Sequence, residues 1–175
     1  MQLFIILNCI DNEGGNGDAK IILGMSFEDV LETYSDMITR ICIVNLRNSD
    51  DAKDCYQNVF MKLFEKDIEF CSEEHLKAWL IRVCINECRN YRRVFYRLTI
   101  DIDKIIMIDN KQELTLLPEV LKLPKKYRNI LYLYYYEGYH IQEISEILQM
   151  NQNTIKSYLK RGRELLRKKV GDFYE

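Results

Sequence analysis

The stretch from Tyr139 to Arg163, YHIQEISEILQMNQNTIKSYLKRGR, decides the fold. Between Ile141 and Leu148 the apolar residues Ile144, Ile147 and Leu148 share one face of a short helix. Asn151 then caps a longer helix running from Gln152 to about Val170, packed through Ile155, Tyr158, Leu159, Leu165 and Leu166. A short helix, a turn of about three residues and a longer helix predict a helix-turn-helix. Ile144 and Leu148 are expected to pack against Ile155 and Leu159 and so fix the angle between the two helices. That leaves Asn153, Thr154, Lys156, Ser157, Lys160, Arg161 and Arg163 along the exposed second helix. Small polar and basic side chains there suit base edges and the neighbouring phosphates. A purely structural helical hairpin is the plainer alternative.

Upstream of this unit, Gly138 is a C-terminal cap for a helix from Lys125 to about Glu137, and Pro124 fits the first helical position. A short helix is expected near Glu113 to Lys122. Residues 98–112 carry isoleucines among acids without a helical period and read as a flexible linker.

The first half reads as a separate three-helix bundle. Ser26 with Asp29 fits the S-x-x-[DE] capping pattern ahead of an amphipathic run from Phe27 to Val44. Ser49 or Asp50 caps a second helix striped by Ala52, Cys55, Val59, Phe60, Leu63 and Phe64. After a loop at about Lys66 to Cys71, Ser72 opens a third helix. Its expected buried face is Leu76, Trp79, Leu80, Val83, Cys84 and Tyr91. No strand pattern competes, and residues 1–25, turn-rich from Asp11 to Asp18, read as a flexible extension or a misplaced start. The fold class is all-α, with two small helical domains (26–97 and 113–175) joined by the 98–112 linker.

The chain has 175 residues with 25 basic and 27 acidic side chains, a formal charge of −2, so any nucleic-acid role rests on where the charges sit. From Asp50 to Glu74 eight acids face three lysines, a local charge of −5. From Leu76 to Arg97 six bases face one acid, giving +5, and from Thr154 to Val170 seven bases face one acid, giving +6. Two basic helical stripes suggest two contacts with nucleic acid, the alternative being solvated helix faces. The apolar run Leu3 to Leu7 is too short to span a bilayer and lacks the features of a signal peptide, so a cytoplasmic protein is expected.

Six cysteines, Cys9, Cys42, Cys55, Cys71, Cys84 and Cys88, read as small buried hydrophobes in a reducing compartment. The alternative is a metal site built from Cys84, Cys88 and His75. No second ligand pair follows at a zinc-site spacing, so neither metal nor cofactor is expected. There is no Gly-rich phosphate loop, H-E-x-x-H or G-x-S-x-G motif, and no catalytic residue is assigned. The tyrosines Tyr132, Tyr134, Tyr135 and Tyr136, at helical spacing, fit core and interface positions better than catalysis.

The two halves together resemble the extracytoplasmic-function group of the sigma-70 family of bacterial RNA polymerase sigma factors. Residues 50–64, DDAKDCYQNVFMKLF, are similar to the family's D-A-E-D-x-x-Q-E-x-F-x-K-L-[WF] helix. Residues 78–86, AWLIRVCIN, are similar to A-W-L-x-x-I-A-x-N and are followed by Arg92-Arg93. Leu123-Pro124 through Arg128 to Glu137-Gly138 resembles L-P-x-x-x-R-x-V-L…Y-x-E-G. The helix-turn-helix resembles E-I-A-x-x-L…T-V-K-S-x-L-x-R-[AG]-R.

This resemblance, spanning residues 26–170, implies roles by position. Asp51, Asp54, Gln57, Phe60 and Phe64 would bind the clamp helices of the polymerase largest subunit. The loop from about Glu65 to Glu74, with Lys77, Trp79, Arg82, Asn86, Arg89, Arg92 and Arg93, would engage the −10 promoter element, capturing unstacked bases and holding phosphates. For Trp79, the spacing with Leu76 and Val83 also fits a core position. The C-terminal helix would read the −35 element, the linker would thread toward the RNA exit path, and an anti-sigma factor would cover the basic surfaces. Three positions depart from the pattern. Asn58 stands where an acid is usual, His140 replaces the Ser or Thr cap of the first helix of the helix-turn-helix, and Gln149 stands where Gly is common, which predicts a different turn. The competing functional reading is a stand-alone helix-turn-helix regulator, which leaves the acidic helix at 50–64 unexplained.

Overall fold

A computed structural model describes residues 20–46, 49–94 and 117–171. The expected linker, all but the end of the N-terminal extension, and the start of the expected 113–122 helix lie outside these residues. The described chain divides into two compact units, residues 20–42 with 50–94, and residues 43–46 and 49 with 117–171.

The first unit opens with a small hairpin that the sequence reading did not foresee. Strands β1 (Ile21–Ile22) and β2 (Met25–Ser26) pair antiparallel, Ile21 opposite Ser26 and Ile22 opposite Met25. Leu23 and Gly24 join them, both at positive φ (53° and 81°), the backbone of a two-residue hairpin turn. The chain passes directly into helix α1 (Phe27–Asn45). Its start is a full capping box: the Asp29 N–H donates to Ser26 Oγ at 3.1 Å, and the Ser26 N–H donates to Asp29 Oδ2 at 3.1 Å. Helix α2 (Ser49–Glu65) and helix α3 (Glu73–Val94) complete the bundle. Ser72 caps α3, its Oγ accepting from the His75 N–H at 3.2 Å.

The buried face of α3 differs from the expected one. Leu76, Leu80 and Cys84 are in the core, but so are Ile81, Ile85 and Cys88, while Trp79, Val83 and Tyr91 are half-buried. The core side of the helix is thus turned by part of a turn, and Trp79 moves to its edge. Cys42, Cys55, Cys84 and Cys88 meet in the centre of this core, each fully buried. His75 is exposed at the start of α3 and takes no part in that cluster.

The second unit contains helices α4 (Leu117–Leu121), α5 (Lys125–Tyr135), α6 (Ile141–Leu148) and α7 (Gln152–Gly171). Pro124 is the residue before α5 rather than its first member, with ψ at 137°. The buried Arg128 donates from Nε to the Leu123 carbonyl at 2.8 Å, tying α5 to the bend that precedes it. Gly138 (φ 73°) ends the α5 segment, and the Tyr139 N–H reaches back to the Leu133 carbonyl at 3.0 Å. Among the described residues no helix is long and apolar enough to cross a membrane.

Candidate nucleic-acid interface

In the helix-turn-helix, α6 buries Ile144 and Ile147 and α7 buries Ile155 and Leu159. Leu148, expected in that seam, is only half-buried, and Ile147 takes its place. At the head of α6, Glu143 reaches back so that its carboxylate accepts the His140 N–H at 2.6 Å. The turn also departs from expectation. Gln149 adopts the left-handed conformation (φ 52°, ψ 48°) that glycine would take more cheaply. The Met150 N–H then closes on the Ser145 carbonyl at 2.9 Å, so the usual turn forms despite the glutamine. Asn151 caps α7 as expected, its Oδ1 accepting the Asn153 N–H at 2.8 Å.

Asn153, Lys156, Ser157, Lys160 and Arg161 are all exposed along α7, and Thr154 is half-exposed. Ser157 donates back to the Asn153 carbonyl at 2.8 Å, which orients its hydroxyl. Arg163 lies at the flank of this row, its guanidinium 5.4 Å from the Tyr134 ring centre and 5.7 Å from that of Tyr135. Gly162, on the opposite side of α7, allows close approach to α5: an added Cβ would lie 2.9 Å from Leu131 Cδ1. In the tyrosine cluster, Tyr132 is core, donating to Glu137 Oε1 at 2.8 Å, and Tyr135 is exposed.

In the first unit, Arg82, Asn86 and Arg89 form one exposed row along α3, spaced by a turn each. Arg89 Nη1 donates to Asn86 Oδ1 at 3.3 Å. Lys77 is half-buried, and the side chains of Arg92 and Arg93 lie outside the described residues. The preceding loop is held on the helix by aromatic contacts. Phe70 meets Trp79 edge-on at 5.8 Å and His75 at 5.4 Å, and the Cys71 N–H donates to His75 Nδ1 at 3.4 Å. Trp79 is therefore the anchor of the loop that the basic row flanks.

The acidic helix presents a second surface. Asp54 and Phe64 are exposed, and Asp51 and Gln57 are half-exposed. Phe60 is not part of it: its ring is fully buried against Tyr56, with centres 4.9 Å apart, because it falls on the core side of α2. Met61, which the sequence reading passed over, stands outside instead at 43% exposure. Asp54, Gln57, Met61 and Phe64 thus make one stripe, acidic at its N-terminal end and apolar at the other. Asn58 is half-buried, its amide donating to the Tyr91 hydroxyl at 2.8 Å. The Lys62 ammonium lies 2.5 Å from Glu87 Oε1, joining α2 to α3.

Residues 30–94 match Sigma-70 region 2, and residues 116–166 match Sigma-70, region 4. The chain is 28% identical over 170 residues to the ECF RNA polymerase sigma factor SigW of Bacillus subtilis (strain 168), covering 84% of this chain and 90% of that one. The chain belongs to the extracytoplasmic-function group of the sigma-70 family. This sigma factor is also 26% identical over 156 residues to SigM of the same organism, with 82% and 94% of the two chains covered. Its fold is that of the sigma factor RpoE solved in complex with the anti-sigma factor NepR from Bartonella quintana. The superposition has a TM-score of 0.66 at 23% identity and covers 83% of this chain and 96% of that one.

Proposed function

We propose that this sigma factor docks on core RNA polymerase through the α2 stripe, opens the −10 element with α3 and its preceding loop, and reads the −35 element with α7. The observation that carries the reading is the separation of the two surfaces. An acidic-to-apolar stripe on α2 suits a basic, partly apolar groove of a protein partner, and exposed basic rows on α3 and α7 suit phosphate. Asp51, Asp54, Gln57 and Phe64 would contact the clamp helices of the largest subunit, and Met61 joins them. Arg82, Asn86 and Arg89, with Lys77, Arg92 and Arg93, would hold the opened strand while Trp79 positions the loop that captures bases. Asn153, Thr154, Lys156, Ser157, Lys160 and Arg161 would meet the −35 duplex, with Arg163 on its flanking phosphates.

In this reading residues 26–97 and 113–175 are the working domains, residues 98–112 connect them, and the chain makes and breaks no covalent bonds itself. It acts in the cytoplasm, and an anti-sigma factor that covers these surfaces is its regulator. The test is co-elution with bacterial core RNA polymerase in size-exclusion chromatography, wild type beside an Asp54→Ala, Phe64→Ala variant. Co-elution that the variant loses while keeping its helical signal is expected. Tight binding to duplex promoter DNA with no co-elution would instead favour a stand-alone regulator.

A further inference from the structure

The four cysteines in the core of the first unit come from three different helices: Cys42 from α1, Cys55 from α2, and Cys84 with Cys88 one turn apart on α3. Their sulfur atoms all lie within 4.8 Å of one another, and all four residues are fully buried. Two pairs, Cys42 with Cys84 and Cys55 with Cys88, stand at 3.4 Å. Four thiolates at the Zn–S bond length of about 2.3 Å in a tetrahedron have edges of about 3.8 Å, inside the range seen here. The grouping is thus already close to the size of a single-ion tetrathiolate shell. It is too tight to enclose a multi-iron cluster. Packing alone asks only for small apolar groups, which any mixture of Ala, Val and Cys supplies, and it does not require four sulfurs to share one centre.

We propose that Cys42, Cys55, Cys84 and Cys88 form a closed structural site for one zinc ion that ties the three helices of the first unit together.

Four protein ligands and no open position describe a structural rather than a catalytic zinc site. Binding displaces the four thiol protons to solvent, and the four sulfurs each form one bond to the ion, with no change of oxidation state. At present Cys84 Sγ lies 3.8 Å from the Ile38 carbonyl and Cys55 Sγ 3.9 Å from the Cys84 carbonyl, weak contacts that a metal bond replaces. The consequence is a direct link between the helix that bears the acidic stripe and the helix that bears the basic row.

The full chain, purified under reducing conditions with zinc supplied, is to be measured for metal by inductively coupled plasma mass spectrometry beside Cys88→Ala and Cys71→Ala. One zinc per chain is expected in the wild type and in the exposed-site Cys71→Ala control, and a loss of that zinc in Cys88→Ala. Because a core cysteine variant can fail to fold, the wild type stripped with a chelator is also titrated with Co²⁺. A one-equivalent end point with the visible absorption of tetrahedral cobalt tetrathiolate, and a higher melting temperature on loading, are expected. A wild type without stoichiometric zinc that gives no such absorption overturns the proposal and leaves four packing thiols. So does zinc retained in Cys88→Ala, or a mass deficit showing these cysteines paired as disulfides.

Discussion

Lys20 Nζ lies 2.6 Å from the carbonyl oxygen of Phe64 and 5.9 Å from the centre of its ring. The same ammonium donates to the Lys66 carbonyl at 2.6 Å. The last carbonyls of a helix have no partner within it, and a cation there also meets the negative end of the helix dipole. A lysine preceding the hairpin therefore finishes α2, and Phe27 at the head of α1 braces the same ring edge-on at 5.2 Å. Lys20→Ala is expected to cost about 1 kcal/mol. In a domain of this size that lowers the melting temperature by about 4–8 °C, which circular dichroism can follow. An unchanged melt would mean that water replaces the ammonium without loss.

Phe60 and Met61 are neighbours with opposite fates, the one wholly buried and the other exposed. Phe60→Ala should cost about 3–5 kcal/mol through the cavity it leaves, enough to unfold the first unit at 37 °C. Met61→Ala should leave the unfolding free energy within about 0.5 kcal/mol of wild type. A loss of polymerase binding in Phe60→Ala with a native melting curve would contradict this division.

Gln149 holds a left-handed backbone at the turn between α6 and α7. Gln149→Gly removes the Cβ penalty of roughly 1–2 kcal/mol, partly offset by the greater chain entropy of glycine, for a net gain of about 0.5–1 kcal/mol. Urea denaturation should show a higher midpoint at unchanged slope. A lower midpoint would mean that the glutamine side chain contributes more than its backbone costs.

Gly162 faces Leu131 and Tyr127 across the α5–α7 contact. Gly162→Leu overfills that contact and should destabilise the second unit by about 1–3 kcal/mol, read as an earlier thermal transition. An unshifted transition would require α7 to move away from α5 without loss.

The Ser26 hydroxyl and N–H both bond the Asp29 carboxylate and hold it below the usual carboxylate range. A group whose folded value is depressed stabilises the fold above its unfolded pKa of about 3.9, and that contribution disappears as pH falls through the lower folded value. Stability measured between pH 6 and strongly acid solution (roughly pH 2) should therefore fall less steeply in Asp29→Asn than in wild type, the difference arising below about pH 4. Parallel curves would show that the capping box does not respond to this proton.

Local signals made most of the architecture readable. Ser26 with Asp29, Ser72, Gly138 and Asn151 announce helix ends because their chemistry satisfies backbone groups within a few residues. The errors lie where the outcome depends on contacts distant in sequence. Phe60 and Phe64 belong to one apolar stripe, and only packing against α1 and α3 decides that the first is core and the second is edge. The rotation of α3, which buries Ile81, Ile85 and Cys88 and leaves Trp79 half-out, was likewise set by its neighbours. The cysteine cluster followed no recognisable spacing because three helices supply it, so only Cys84 and Cys88 carried a local sign. Hairpin β1–β2 is two residues per strand, too short to give an alternating pattern.

The charge reversal between α2 and α3 has a kinetic consequence. At long range the −5 and +5 stretches cancel each other; at short range the pair behaves as an electric dipole. Such a body is turned as it approaches a polyanion, basic row foremost, and repelled when it arrives the other way round.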